Sequence, residues 1–187
     1  NVPAFASVFH GILRSGATAT TINGLYTAEE IETQLRDSGA KLLFTVSPLL
    51  AQAHEGAIAA GLEQDAIIVL DGADGYHNLR DLLGAGLPAP DVSFDPATHV
   101  AVLPYSSGTT GKRKGVKLSH TNLVANVVQT YPVLDVEDDD VVLALLPFFH
   151  IYGMTVLLNI AIKKRARLVT MPKFDLGEFL RIIETHG

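Results

Sequence analysis

Apolar and polar residues follow one another along the chain in a pattern of helices and strands. Apolar positions three and four residues apart predict a helix over residues 3–15, and a continuous apolar run over residues 66–70 is typical of a buried parallel strand. Thr27 and Glu30 form the spacing of a capping box, and Gly39 ends the helix that this box begins. Alternation of this kind predicts an α/β fold, a mostly parallel sheet flanked by helices.

The remaining elements continue the alternation. Further strands are predicted over residues 17–22, 41–46, 100–103, 116–118, 140–146 and 167–170, and further helices over residues 48–60, 79–83, 121–130, 151–162 and 175–185. In such sheets ligands bind beyond the carboxyl ends of the strands. We therefore expect the functional residues in the segments that follow strands.

Composition narrows the class of protein. Of 187 residues 48% are hydrophobic and 18% are charged, which excludes a disordered chain and a coiled coil. The absence of cysteine excludes disulfides, thiolate metal sites and a cysteine nucleophile within this chain, and it fits a cytoplasmic protein. A net charge of −6 argues against nucleic acid as the partner.

The first residue is not Met and no signal-peptide pattern follows it, so we expect a piece of a larger protein.

One segment has the length of a membrane span. Residues 141–162 contain no acidic or basic side chain and precede Lys163, Lys164 and Arg165. Pro147 and other polar or helix-breaking residues interrupt the segment, which favours a buried strand followed by a short buried helix. A membrane-anchored protein stays open as an alternative, but no membrane span is the prediction.

Residues 104–117 have the character of a phosphate-binding loop. Six consecutive residues, 106–111, are only Ser, Thr or Gly, and they come shortly after a predicted strand. Glycine lets backbone N–H groups converge on an anion, and hydroxyls add donors. Lys112, Arg113 and Lys114 then supply positive charge. The segment matches neither the Walker nor the dinucleotide pattern, and a flexible linker is the alternative.

Two segments together resemble a known family. Residues 103–120 read Leu-Pro-Tyr-Ser-Ser-Gly-Thr-Thr-Gly-Lys-Arg-Lys-Gly-Val-Lys-Leu-Ser-His, which is similar to the AMP-binding signature of adenylate-forming enzymes. Residues 146–154, Leu-Pro-Phe-Phe-His-Ile-Tyr-Gly-Met, resemble that family's second motif as 4-coumarate–CoA ligases carry it. The resemblance covers the whole chain. It implies that residues 1–187 are a partial N-terminal AMP-binding domain, with the C-terminal remainder of the enzyme absent.

The resemblance implies an acyl-CoA synthetase. Such an enzyme activates a small carboxylic acid with ATP to an acyl-adenylate and transfers the acyl group to CoA, with Mg²⁺ sharing the phosphate charge. Since the family's later motifs are absent, we expect the isolated chain to be inactive. The alternatives are a fatty acyl-AMP ligase, a luciferase-like adenylating enzyme, or a noncatalytic module that binds nucleotide phosphates.

The same resemblance implies roles for individual residues. His150 and Lys114 are the catalytic candidates, and Lys173 is the CoA-binding candidate. His150 and Tyr152 would bind the acyl group, although core packing of Tyr152 and a surface role for Lys173 remain alternatives. Arg113 stands where the family usually has Pro, and Val156 stands where plant coumarate ligases have a polar pocket residue. The ATP-binding candidates are Ser106, Ser107, Gly108, Thr109, Thr110, Gly111 and Lys114.

Overall fold

The computed structural model describes residues 1–106 and 113–186 of the chain. Its α-helices are α1 (Ala4–Arg14), α2 (Ala28–Ser38), α3 (Leu50–Ala59), α4 (Leu79–Gly84), α5 (His120–Thr130), α6 (Ile160–Lys164) and α7 (Leu176–His186). Its strands are β1 (Leu43–Thr45), β2 (Ile67–Val69), β3 (Val100–Val102), β4 (Tyr105–Ser106), β5 (Lys114–Gly115), β6 (Leu118–Ser119), β7 (Val141–Ala144) and β8 (Arg167–Thr170). The helix–strand order confirms the α/β class.

The chain divides into two compact units. The first unit comprises Asn1–Thr21, Val92–Pro104 and Val116–Gly187, and the second comprises Ile22–Asp91 and Tyr105–Gly115. Each unit has its own buried apolar residues: Phe9, Ala101 and Met154 in the first, and Ile31, Leu35 and Ala57 in the second, for example. The middle of the first motif, Tyr105–Gly115, therefore belongs to the second unit, whereas its two ends and the whole second motif belong to the first.

The first unit contains one parallel and one antiparallel strand pair. β7 and β8 pair in parallel, and β3 and β6 pair antiparallel. The predicted strand over residues 17–22 is reduced to a single bridge, between Ala19 and Val102. The side chain of Thr18 donates to the Val100 carbonyl, at 2.7 Å, and that of Thr20 to the Leu103 carbonyl, at 2.8 Å. These hydroxyls hold the segment beside β3 without a continued ladder of backbone hydrogen bonds.

The second unit is built on the parallel pair β1–β2 and on helices α2 and α3. The predicted capping box is present, because Thr27 accepts from the Glu30 N–H and Glu30 accepts from the Thr27 N–H. Gly39 ends α2 with φ +65°, a left-handed conformation that glycine adopts without strain. A Cβ atom on Gly56 would lie 2.6 Å from the Ala28 carbonyl oxygen, so glycine here permits close packing of α3 on α2.

The apolar segment 141–162 folds as the strand β7, a turn, and a helical segment over residues 151–164. β7 is less buried than predicted, because only Ala144 is fully buried and the other three residues are half-buried. Within that segment Gly153–Asn159 has π-helical hydrogen bonding and is followed by α6. In the described parts of the chain, residues 1–106 and 113–186, every helix is too short or too polar to span a bilayer.

Candidate functional site

The two ends of the predicted phosphate segment, residues 104–117, form a short antiparallel ladder. β4 pairs with β5 in a register that places Tyr105 opposite Gly115 and Ser106 opposite Lys114. Ser106 and Lys114 are both exposed. The hydroxyl of Ser106 and the ammonium group of Lys114 are thus both accessible to a ligand at this ladder. The candidates Ser107, Gly108, Thr109, Thr110 and Gly111, and the neighbouring Lys112, lie outside the described residues.

Helix α2 holds both arms of this ladder through side chains. The hydroxyl of Tyr105 donates to the carboxylate of Asp37. Burial of the phenol, and then the hydrogen bond to Asp37, raise the pKa of Tyr105 well above its ordinary value, so it stays a donor near neutral pH. On the other arm Arg113 pairs with Glu30, and its guanidinium carbon lies 4.1 Å from the centroid of the Tyr26 ring.

The second motif forms a turn between β7 and the helical segment. The N–H of His150 donates to the Pro147 carbonyl at 3.1 Å, and the N–H of Tyr152 donates to Nδ1 of His150 at 3.3 Å. Both side chains are exposed, Tyr152 by 50%, which does not favour the core-packing interpretation of that ring. Phe148, between them and β7 in sequence, is only 1% exposed and packs against Phe5. The turn therefore buries one aromatic side chain and presents two functional candidates.

Residues near the beginning of the chain anchor this turn. The side-chain amide of Asn1 donates to the carbonyls of Ala144 and Leu146, each at 2.9 Å, and its carbonyl accepts from the Phe148 N–H at 2.8 Å. The hydroxyl of Thr21 donates to the Phe149 carbonyl at 2.7 Å. The sequence carries no signal for either anchor, because their four partners are backbone groups more than a hundred residues away.

The remaining candidates lie apart from these contacts. Lys173 is exposed in the turn between β8 and α7, and Val156 is half-buried in the π-helical stretch. No cluster of three or more His, Asp or Glu side chains suited to a metal ion occurs in the described parts of the chain.

The sequence did not indicate a cavity of about 560 Å³ in the first unit. Helices α1 and α5 and the end of the 151–164 segment contribute most of its walls. The rings of Phe94, His99 and His120 stack beside one another, with centroids 4.4 to 5.5 Å apart. Nε2 of His120 is buried and has no hydrogen-bond partner in the described structure. Burial, and secondarily the neighbouring His99, lower the pKa of His120.

This lowered pKa predicts a loss of stability in mild acid. The unfolded chain takes up a proton at His120 near pH 6.5, whereas the folded chain resists protonation to a lower pH, so folding is disfavoured as the pH falls below about 6.5. We expect the fall in thermal unfolding midpoint between pH 7.5 and pH 5.5 to be smaller in His120→Gln than in the parent. His186→Gln, at an exposed position in the same unit, is the matched control. An unchanged pH dependence in His120→Gln would contradict the assignment.

Comparison with known families gives a match over the whole chain. The profile of a family described as AMP-binding enzyme matches residues 1–187. The 4-coumarate–CoA ligase 3 of Oryza sativa subsp. japonica is 38% identical over 192 residues, which cover 100% of this chain and 34% of that protein. The chain therefore spans about a third of the length of this curated relative.

Solved structures show the same fold. A long-chain-fatty-acid–CoA ligase from Archaeoglobus fulgidus superposes with a TM-score of 0.89 at 28% identity, over 99% of this chain and 36% of that one. ATP-bound MatB from Rhodopseudomonas palustris superposes with a TM-score of 0.79 at 26% identity, over 100% of this chain and 36% of that one.

Proposed function

Because the chain belongs to the family of AMP-binding enzymes, we propose that its full-length gene product is an ATP-dependent acid–CoA ligase similar to 4-coumarate–CoA ligases. One observation carries the proposal. The relatives named as 4-coumarate–CoA ligases match the entire chain, so the phosphate segment and the turn with His150 both lie inside the matched region. On this proposal residues 1–187 are part of the N-terminal domain.

The reaction brings a carboxylate up to the α-phosphate of ATP, which then loses pyrophosphate. Both reactants are anions, so positive charge and positioning are the main requirements. We assign the phosphate segment to ATP, with Ser106 as a hydroxyl donor and Lys114 as a point charge. Mg²⁺ would neutralise part of the phosphate charge.

The turn after β7 is assigned to the acid. His150 can donate a ring N–H to a carboxylate, since its Nδ1 already accepts from the Tyr152 backbone and leaves Nε2 as the donor. The exposed ring of Tyr152 offers an apolar surface to an aromatic or aliphatic acyl group. Lys173 is the proposed contact to CoA, on the resemblance and its exposure alone.

Acid-dependent exchange of pyrophosphate into ATP tests the first half-reaction. We expect the full-length gene product to catalyse exchange with hydroxycinnamic acids and to form a thioester once CoA is added. The structural similarity to a long-chain-fatty-acid–CoA ligase makes fatty acids the second acid class to try. Exchange without thioester formation would indicate a fatty acyl-AMP ligase or a luciferase-like enzyme. ATP binding without exchange for any acid would reject the proposal in favour of a noncatalytic nucleotide-binding module.

A further inference from the structure

Arg113 is held at two points by residues of the second unit. One Nη donates to the Tyr26 hydroxyl while the guanidinium lies over the Tyr26 ring. The other Nη pairs with Oε1 of Glu30 at 2.8 Å. We name these two contacts the Arg113 clamp. Because these contacts fix both the position and the orientation of its side chain, Arg113 is held against Tyr26 and the first turn of α2.

Both partners of Arg113 are themselves fixed. Tyr26 is 8% exposed and belongs to the core cluster that contains Ile31 and Leu35. The second carboxylate oxygen of Glu30 accepts from the Thr27 N–H at 3.0 Å, in the capping box of α2. Tyr26 and Glu30 thus form a preorganised site for a planar, forked cation, so most of the ordering that the clamp requires falls on Arg113.

The clamp acts together with the other arm of the ladder. Tyr105 bonds to Asp37, seven residues beyond Glu30, which is about 10 Å along the helix axis. Because the two arms are neighbours in the ladder β4–β5, these contacts attach the ladder to α2 at two separate points.

We propose that Arg113 is a positioning residue, which holds the C-terminal arm of the phosphate segment against α2 and so sets its geometry for ATP. The inference rests on the proposed function. The adenylate-forming enzymes that this chain resembles usually have proline at the position of Arg113, and its rigid backbone limits the conformations of the arm. Here a side-chain clamp restricts it instead, and the positive charge of Arg113 is neutralised by Glu30 rather than offered to the nucleotide.

Steady-state kinetics of the full-length gene product test the clamp. We expect Arg113→Ala to raise the KM for ATP about tenfold and Glu30→Gln about threefold, with kcat within about twofold and an unchanged KM for the acid. The double variant should be no worse than Arg113→Ala, because either change breaks the same contact. Arg113→Lys, which keeps the charge but not the fork, should recover only part of the loss.

Glu29→Gln is the matched control, because Glu29 is an exposed carboxylate in the same first turn of α2 and makes no described ion pair. It should leave the KM for ATP unchanged. An unchanged or lowered KM in Glu30→Gln, or multiplicative losses in the double variant, would show that Arg113 acts apart from Glu30 and would overturn the proposal.

Trypsin provides a readout that does not require activity. Cleavage after Arg113, located by mass spectrometry, should be several-fold faster in Glu30→Gln than in the parent or in Glu29→Gln, since local opening governs cleavage. Equal rates in all three proteins would overturn the clamp even if ATP exchange is normal. Faster cleavage in Glu30→Gln, with no exchange by the parent for any acid, would support the clamp and reject the proposed function.

Discussion

Alanine in place of Gly153 is expected to destabilise the first unit by at least about 3 kcal/mol, or to prevent its folding. A Cβ atom at this position would lie 2.1 Å from the Pro147 carbonyl oxygen and 2.6 Å from its carbonyl carbon. Both atoms belong to the backbone, so no side-chain rotation relieves the overlap. The turn itself would have to move, which would disturb the His150 N–H bond to the same carbonyl.

Gly11→Ala is the matched control for this substitution. Gly11 lies within helix α1 of the same unit, and a Cβ atom there meets nothing within 4 Å. Alanine should be neutral or stabilise by up to about 1 kcal/mol, because it favours the helix. Thermal unfolding of the full-length gene product, followed by circular dichroism, measures both changes. An unfolding midpoint of Gly153→Ala equal to that of the parent would show that the close contact is not present.

Replacement of Lys114 by glutamine is expected to lower acid-dependent pyrophosphate exchange about 10² to 10³-fold, the usual effect of removing a charge-stabilising group from a phosphoryl or acyl site. Two cations of the 112–114 run are described, and one of them, Arg113, is paired with Glu30. The other, Lys114, is exposed and forms no ion pair with any described residue. Its register partner is Ser106, so charge and hydroxyl lie side by side at the base of the segment.

Lys117→Gln provides the control, since Lys117 is equally an exposed lysine but lies beyond β5 in the first unit. Both variants lose one positive charge, so a general electrostatic effect would lower their rates equally. We expect the rate of Lys117→Gln to remain within about threefold of the parent. A Lys114→Gln enzyme that also stays within that range would remove Lys114 from the ATP site.

Local signals predicted the helices well. The Thr27–Glu30 capping box and Gly39 fixed both ends of α2, because capping depends on residues only a few positions apart. The strand over residues 17–22 was a wrong prediction for the opposite reason. Its apolar and threonine-rich composition suits a strand, but among the described contacts only Ala19 makes backbone hydrogen bonds to the residues around β3. Thr18 and Thr20 bond there through their side chains instead, to carbonyls more than eighty residues away.

The candidate site divides in the same way. The phosphate chemistry proposed for it follows from residue types and order, since hydroxyls, glycines and cations are consecutive in residues 104–117, and it stays a prediction. The contacts that position these residues could not be predicted from the sequence, as Arg113 shows. The sequence counted Arg113 among the charges for phosphate, whereas the structure pairs it with Glu30 and Tyr26, 83 and 87 residues away. Neither partner has a feature that marks it in advance as a ligand for arginine.

The hydrogen bonds of Asn1 have a consequence for how the protein folds. They join residue 1 to the backbone of residues 144, 146 and 148, so they close loops of more than 140 residues. Closing such loops has a large entropic cost and contributes to slow folding. During synthesis, residue 1 cannot meet these partners until the segment that contains them has left the ribosome. The turn that bears His150 should thus reach its final form late, after the helices with local capping have formed.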